Sequence, residues 1–346
     1  MKANVYNFDL KLNWRLLNLI SKIDRFDASW SSIEKKEGAS LKQLKTIATI
    51  QSVGASTRIE GSKMSDTEVE NLLNNMGISK IEDRDSQEVV GYFNVLDLIS
   101  EAFEDIDLTA NHIKNLHNQL LNYSQKDNWH KGAYKQLTNA VQAAFPDGTT
   151  KIIFRTTEPG YATDDAMNAL IDWYKQEQEV HLLIKCAAFV YEFLSIHPFQ
   201  DGNGRLSRLL TTLCLLKTGY SWIQYVSFEH EIETHKKNYY RALRSCQAQR
   251  PHEDITDWID FFLESLINVQ TKLQKKLEMT SQENTLSPKE KGVYMYISNH
   301  SNCKSKDITE RLQISKATVK RILADLVRKN LISQSGKGAG VSYSII

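Results

Sequence analysis

His197-Pro198-Phe199-Gln200-Asp201-Gly202-Asn203-Gly204-Arg205-Leu206-Ser207-Arg208 brings together a base that titrates near neutral pH, a carboxylate, an amide between two glycines, and two arginines. The run behind it is apolar to Lys217, with leucines at 206, 209, 210, 213 and 216, the spacing of one buried helical face. The glycines therefore read as a loop that opens a helix. Such a loop lets backbone N–H groups approach phosphate oxygens, where the helix N-terminus adds partial positive charge. Arg205 and Arg208 stand three apart and point to one side, two forks suited to a di- or triphosphate. Asp201 is placed to hold a Mg2+ bridging those phosphates. His197 is left as the base. Taken singly, each residue fits a solvated Gly-Asn-Gly turn ahead of a basic helix; the combination is what carries chemistry.

The stretch resembles the signature of the Fic family, HPFx[DE]GN[GK]RxxR, and agrees at every specified position. The resemblance implies a mainly α, Fic-type helical fold with a small β-hairpin flap. It also implies an activity, the transfer of AMP from ATP to a Ser, Thr or Tyr hydroxyl of a target protein with release of pyrophosphate. In that reading His197 is the catalytic base and Asp201 the metal ligand. Gly202, Asn203, Gly204, Arg205, Leu206, Ser207 and Arg208 bind ATP, with Arg205 at the β-phosphate and Arg208 at the γ-phosphate.

Ser56-Thr57-Arg58-Ile59-Glu60-Gly61, read from its own residues, is a helix end closed by glycine, with Arg58 and Glu60 as surface charges. The resemblance gives it another role. Ser56, Glu60 and Gly61 fit the [ST]xxxE[GN] mark of an inhibitory helix, whose Glu pairs with the second Arg of the core motif, here Arg208. A carboxylate and a phosphate compete for the same guanidinium fork. A self-restrained enzyme with its brake in the same chain is implied, and the hydroxyls of Ser56 and Thr57 raise self-modification as a further hypothesis.

Outward from these motifs, apolar spacing predicts helices over 9–31, 40–53, 65–73, 86–103, 108–121, 163–176, 182–195 and 255–277. The strongest strand signal in the body is 151–157, bounded by Asp147-Gly148 and Pro159-Gly160. The resemblance places the flap there, with Ile153, Phe154, Arg155 and Thr156 docking target backbone by β-augmentation; a small structural hairpin is the plain alternative. His112 and His117 stand five apart, which on a helix suits packing or capping better than a metal pair. His230 and His235 are also five apart and miss the four-residue spacing of a zinc-protease helix. Asn238, Tyr239 and Tyr240 resemble the family's aromatic helix beside the adenosine pocket, and core packing is the ordinary reading of the two tyrosines.

The chain has 346 residues, 41% hydrophobic and 25% charged, enough for two or three domains of ordinary globular composition. Its four cysteines lie far apart and two sit in apolar helical patterns, as in a reducing compartment. No apolar run reaches membrane length, and Met1-Lys2-Ala3-Asn4 opens no apolar leader, so a cytoplasmic location without membrane contact is expected. Residues 285–346 hold 11 Lys/Arg and 4 Asp/Glu, a balance of +7 that leaves −6 on the rest. Three short helices and a hairpin over 289–346 look like a winged helix-turn-helix, with Lys316, Thr318, Lys320 and Arg321 on the would-be recognition helix. DNA contact and protein docking are both open to such a module.

The organisation expected is a helical region with the inhibitory helix (1–105), a Fic catalytic domain (106–280), a linker (281–288) and the winged helix (289–346). ATP and Mg2+ are required. Expected partners are a hydroxyl-bearing protein, DNA through the winged helix, and a second copy of the chain. Two alternatives stand beside AMP transfer. One is removal of AMP, or transfer of another phosphate-linked group, by the same site. The other is a transcription regulator whose Fic body senses nucleotide.

Overall fold

The computed structural model describes residues 2–76, 81–144, 150–284, 286–300, 302–336 and 338–345. The chain begins with an antiparallel hairpin, β1 (Lys2–Val5) and β2 (Phe8–Lys11), which turns at Tyr6 in the left-handed region (φ 57°). The helix expected from residue 9 therefore starts later. Phe8 and Leu10 are buried between the less buried Asp9 and Lys11, a period of two. Asp9 is held by backbone on both sides, its N–H on the Glu253 carbonyl (2.8 Å) and its carbonyl receiving the Ile255 N–H (3.0 Å).

α1 (Trp14–Ile59) is capped by Asn13, whose side chain accepts from the Leu16 N–H at 2.8 Å. It merges the two helices expected over 9–31 and 40–53, and their boundary survives as one non-helical residue, Glu37 (φ −106°, ψ 16°). Its end is buried from Ser52 to Thr57. α2 (Asp66–Asn74) opens with the Ser65/Glu68 capping box, and α3 (Arg84–Ala102) and α4 (Ala110–Leu120) follow.

β3 (Ala140–Ala144) and β4 (Thr150–Arg155) pair antiparallel, Ala140 opposite Arg155 and Ala144 opposite Thr150. The register shifts so that Val141 faces Phe154 and Gln142 faces Ile152, which makes Ile153 the extra residue of a bulge. The side chains of Ile153 and Arg155, and the Asp147-Gly148 turn, lie outside the described residues.

α5 (Tyr161–Gln176) leads to α6 (Leu182–Ile196), in which every residue from Leu183 onward is buried. Its partner α7 (Asn203–Lys217) is buried almost throughout. A buried Leu or Phe side chain contributes about 1.5–3 kcal/mol, so these two helices anchor the loop between them. α8 (Phe228–Thr234), α9 (Lys236–Gln247) and α10 (Thr256–Asn284) complete the body. α10 outruns the expected 255–277 and occupies the first part of the stretch read as linker. No Gly or Pro interrupts that stretch before Pro288, so its polar residues continue the helix.

The chain divides into units Met1–Lys272 and Leu273–Ile346, with the division inside α10. The second unit contains α11 (Pro288–Asn299), α12 (Ser305–Leu312), α13 (Lys316–Arg328), and a hairpin of β5 (Ile332–Ser335) and β6 (Ser342–Ile345). Val293, Ile297, Ile308, Val319, Leu323 and Leu326 build its core. Lys316, Lys320 and Arg321 stay exposed on α13, and the Thr318 N–H donates to the capping Ser315 hydroxyl. This is a winged helix; Lys337 of its tip lies outside the described residues.

Candidate active site

α6 delivers the chain to His197, whose backbone is left-handed (φ 53°, ψ 60°) and whose N–H closes on the Phe193 carbonyl at 3.0 Å. Such a conformation is uncommon for a residue with a side chain. Pro198, without an N–H, follows. Phe199 is fully buried and stacks on the His117 ring, 3.8 Å between centroids and 12° between planes. Asn203 closes the loop from the other side. Its Oδ1 accepts from the Phe199 N–H (2.9 Å) and its Nδ2 donates to the Phe199 carbonyl (2.7 Å). Its amide is thus spent on the shape of the loop rather than turned to a phosphate.

Gly202 caps α7 in a left-handed conformation (φ 79°) that favours glycine. Behind it, the first-turn amides of α7 are ones a helix cannot satisfy internally. Leu206 lies in the core, and the Ser207 hydroxyl donates to the Gly204 carbonyl at 2.8 Å, so both support the helix.

Arg208 is buried and donates three hydrogen bonds, from Nε to the Ser56 hydroxyl (2.8 Å) and from Nη2 to the Ser56 carbonyl (3.0 Å) and Glu60 Oε1 (2.7 Å). Burial pushes the Glu60 carboxyl up, but the Arg208 guanidinium outweighs it and holds the group below its ordinary range. Glu60 can come this close because Gly204 has no side chain: a Cβ there would lie 2.4 Å from Glu60 Oε1. Gly61 (φ 112°) turns the chain away. Ser56 is occupied by Arg208, and Thr57 donates to the Val53 and Gly54 carbonyls at 3.0 Å each, so neither buried hydroxyl is presented as an acceptor of AMP in this state.

Arg58, read from the sequence as a surface charge, is a clamp. It donates to both carboxylate oxygens of Glu233 (2.6 and 3.0 Å) and to the Met64 carbonyl (2.9 Å), and pairs with Asp66 (2.9 Å). Lys236 adds a bond to the Ile59 carbonyl at 2.7 Å. Nothing in the local spacing links residues 58 and 233, which lie far apart in the chain.

Arg205 is buried with two N–H-bearing atoms, Nε and Nη1, lacking hydrogen-bond partners; Glu88 and Asp201 stand 3.5 Å away as ion partners. These residues line a small cavity of about 100 Å³ together with Arg84 and Lys126. Burial raises the Asp201 carboxyl, but Arg205 prevails and holds it below the ordinary range. His117, on α4, supports this corner. Its Nδ1 accepts from the Gly132 N–H (2.9 Å), so its other nitrogen, Nε2, carries the proton donated to the Asp201 carbonyl (2.9 Å). Burial pushes this imidazole down to about 4. The sequence pointed to packing or capping for one of the two α4 histidines, but not to its grip on the loop.

Burial, reinforced by the Lys135 ammonium, likewise pushes His197 down to about 4; the Leu194 carbonyl, Glu60 and Asp201 pull the other way. The ring is a free base at neutral pH. Thr156, at the end of β4, is buried with its hydroxyl bonded to Asn139, and Phe154 is half-buried. Of the residues expected beside adenosine, Asn238 and Tyr240 line an open cleft of about 820 Å³ with Arg241 and Arg244. Tyr239 instead packs on Trp258 and Phe261, at 5.6 and 5.8 Å between centroids.

Residues 107–215 match the Fic/DOC family and residues 293–336 the MarR family. Protein adenylyltransferase Fic of Drosophila melanogaster is 28% identical over 210 residues, 60% of this chain and 39% of that protein. The same protein of Culex quinquefasciatus is 26% identical over 204 residues, 58% of this chain and 38% of that one. The chain thus spans about two-fifths of the length of these relatives. A Fic family protein from Desulfovibrio desulfuricans has the same fold, with a TM-score of 0.64 at 21% identity over 97% of both chains. The chain carries a Fic domain on a mainly helical body and a winged helix of the MarR type.

Proposed function

We propose that this Fic-domain chain transfers AMP from ATP to a Ser, Thr or Tyr hydroxyl of a target protein, and that Glu60 restrains it. The observation that carries this reading is Arg208, an anion-binding guanidinium buried beside the start of α7 and closed by Glu60 at 2.7 Å. ATP lies with its α- and β-phosphates at the backbone amides of the Gly202–Gly204 loop and Arg205 on the β-phosphate. Arg208 receives the γ-phosphate once Glu60 withdraws, and Asn238 and Tyr240 border the adenosine.

His197, unprotonated at neutral pH, takes the proton of the incoming hydroxyl. The oxygen attacks the α-phosphorus in line, a P–O bond forms, and the bond to the bridging oxygen of the β-phosphate breaks. Pyrophosphate leaves with that electron pair. Catalysis is then placement and charge stabilisation. The residues fit a Mg2+ held jointly with the nucleotide: Asp201 is an ionised carboxylate, and beside it Arg205 has two buried N–H-bearing atoms without hydrogen-bond partners, suited to a phosphate. Asp201 would hold that ion, which neutralises phosphate charge.

Labelled ATP tests the reading, with wild type, Glu60→Gly, His197→Ala and the double variant incubated with lysate. Label entering protein should rise in Glu60→Gly and fall about 10²–10⁴-fold when His197 is replaced. If Glu60→Gly binds ATP yet transfers nothing, AMP transfer is wrong and AMP removal becomes the leading activity of the site.

The winged helix adds DNA as a partner, supported by the exposed Lys316, Lys320 and Arg321 and the +7 balance of the C-terminal 62 residues. A cytoplasmic location is supported by four buried free cysteines. Among the described residues no helix is long and apolar enough to cross a membrane.

A further inference from the structure

Lys135 is buried to 1% exposure and, among the described residues, has no salt-bridge partner. Its Nζ donates to three acceptors, Asn139 Oδ1 (3.0 Å), Thr156 Oγ1 (2.8 Å) and the Ile196 carbonyl (3.0 Å). Three acceptors on one nitrogen use all three protons of the ammonium form. Its backbone N–H donates to the Pro198 carbonyl at 2.8 Å.

These partners belong to two different structures. Asn139 immediately precedes β3 and Thr156 immediately follows β4, so they are the two feet of the hairpin. Ile196 and Pro198 flank His197. Cross-links reinforce the joint: the Thr156 hydroxyl donates to the Asn139 carbonyl at 2.8 Å, and Asn139 Nδ2 donates to the Phe199 carbonyl at 3.0 Å. Burial works against the charge and pushes Lys135 down to about 8, while Glu158 pulls weakly upward. Burying a cation is costly for folding even when it is hydrogen-bonded, so stability alone does not account for it.

We infer that Lys135 is a positioning residue that ties the feet of the β3–β4 hairpin to the backbone on either side of His197, so that the target-docking edge and the base are held as one body. It touches neither nucleotide nor hydroxyl; it sets the distance between what holds the target and what deprotonates it. A shift of about 1 Å in such an arrangement costs on the order of a hundredfold in rate. The role in catalysis rests on the AMP-transfer reading, whereas the mechanical joint does not.

The test uses the full chain in Glu60→Gly background, with Lys135→Met, Lys135→Arg and the milder Thr156→Ala. Backbone hydrogen exchange of 140–144 and 150–155 should quicken about tenfold or more in Lys135→Met, less in Thr156→Ala, and recover in Lys135→Arg, while α6 and α7 keep their protection. AMP transfer should fall at least about tenfold in kcat with ATP affinity unchanged. Unchanged hairpin exchange in both Lys135→Met and Thr156→Ala overturns the inference. So does exchange that rises equally in α6 and α7, which would make Lys135 a general stabiliser. If Lys135→Met does not fold, Thr156→Ala and Lys135→Arg decide by the same pattern. If the Glu60→Gly parent itself transfers no AMP, the AMP-transfer reading fails, and the exchange pattern still decides whether Lys135 is the joint.

Discussion

At the scale of the residue, the candidate site contains two buried imidazoles that are neutral at neutral pH. Burial keeps both neutral: His197 is left as the base of the proposed transfer, and His117 has both nitrogens engaged by backbone. Both sit at about 4 in the folded chain, below the value of about 6.5 expected once unfolded. The unfolded chain therefore binds the extra protons. Stability from these groups is complete above about pH 6.5 and is lost as pH falls toward 4, at about 1.4 kcal/mol per pH unit for each. Replacing His117 with Ala should cost about 2–4 kcal/mol, because the Gly132 N–H and the Asp201 carbonyl lose their partners and Phe199 its stacking surface. The same change should remove one proton from the pH dependence, read by urea unfolding at pH 7 and pH 5. An unchanged slope would mean that His117 is not held neutral. The core motif pointed to most residues of the candidate site, because they are packed into twelve consecutive positions. His117 escaped, since a single histidine on an amphipathic helix carries no mark of what it will touch.

At the scale of the element, the contact of Glu60 with Arg208 is the end of a long lever. The last turn of α1 is held by Arg58 on Glu233 and Asp66 and by Lys236 on the Ile59 carbonyl, so Glu60 need not hold itself in place. Arg58→Ala and Glu233→Ala should each raise AMP transfer, with Glu60 unaltered. A double-mutant cycle on stability should give a coupling of about 1–2 kcal/mol between them. Additive effects on both stability and activity would show that the clamp does not hold the brake. Sequence periodicity found the helical stretches but misjudged where they join. It separated α1 at the stretch around Gly38, where one irregular residue suffices, and began it too early at a hairpin only four residues per strand. Strands that short offer too little alternation to outweigh a neighbouring helical pattern.

At the scale of the whole molecule, the body and the C-terminal unit were legible for different reasons. The body was announced by one dense motif, the winged helix by element order and a change in charge. If α13 contacts DNA, Lys316→Ala and Lys320→Ala should each weaken binding similarly across sequences and reduce the salt-dependence slope by about 1. Binding insensitive to both salt and substitution would assign the unit to protein docking. The contact between Glu60 and Arg208 also rests on an absence, the missing Cβ of Gly204. In genetic terms, every missense change at that codon adds atoms where the Glu60 carboxylate now lies. On the proposed reading a substitution there is a mixed lesion, since the added atoms displace the flexible Glu60 carboxylate and also crowd the loop whose amides take the phosphates.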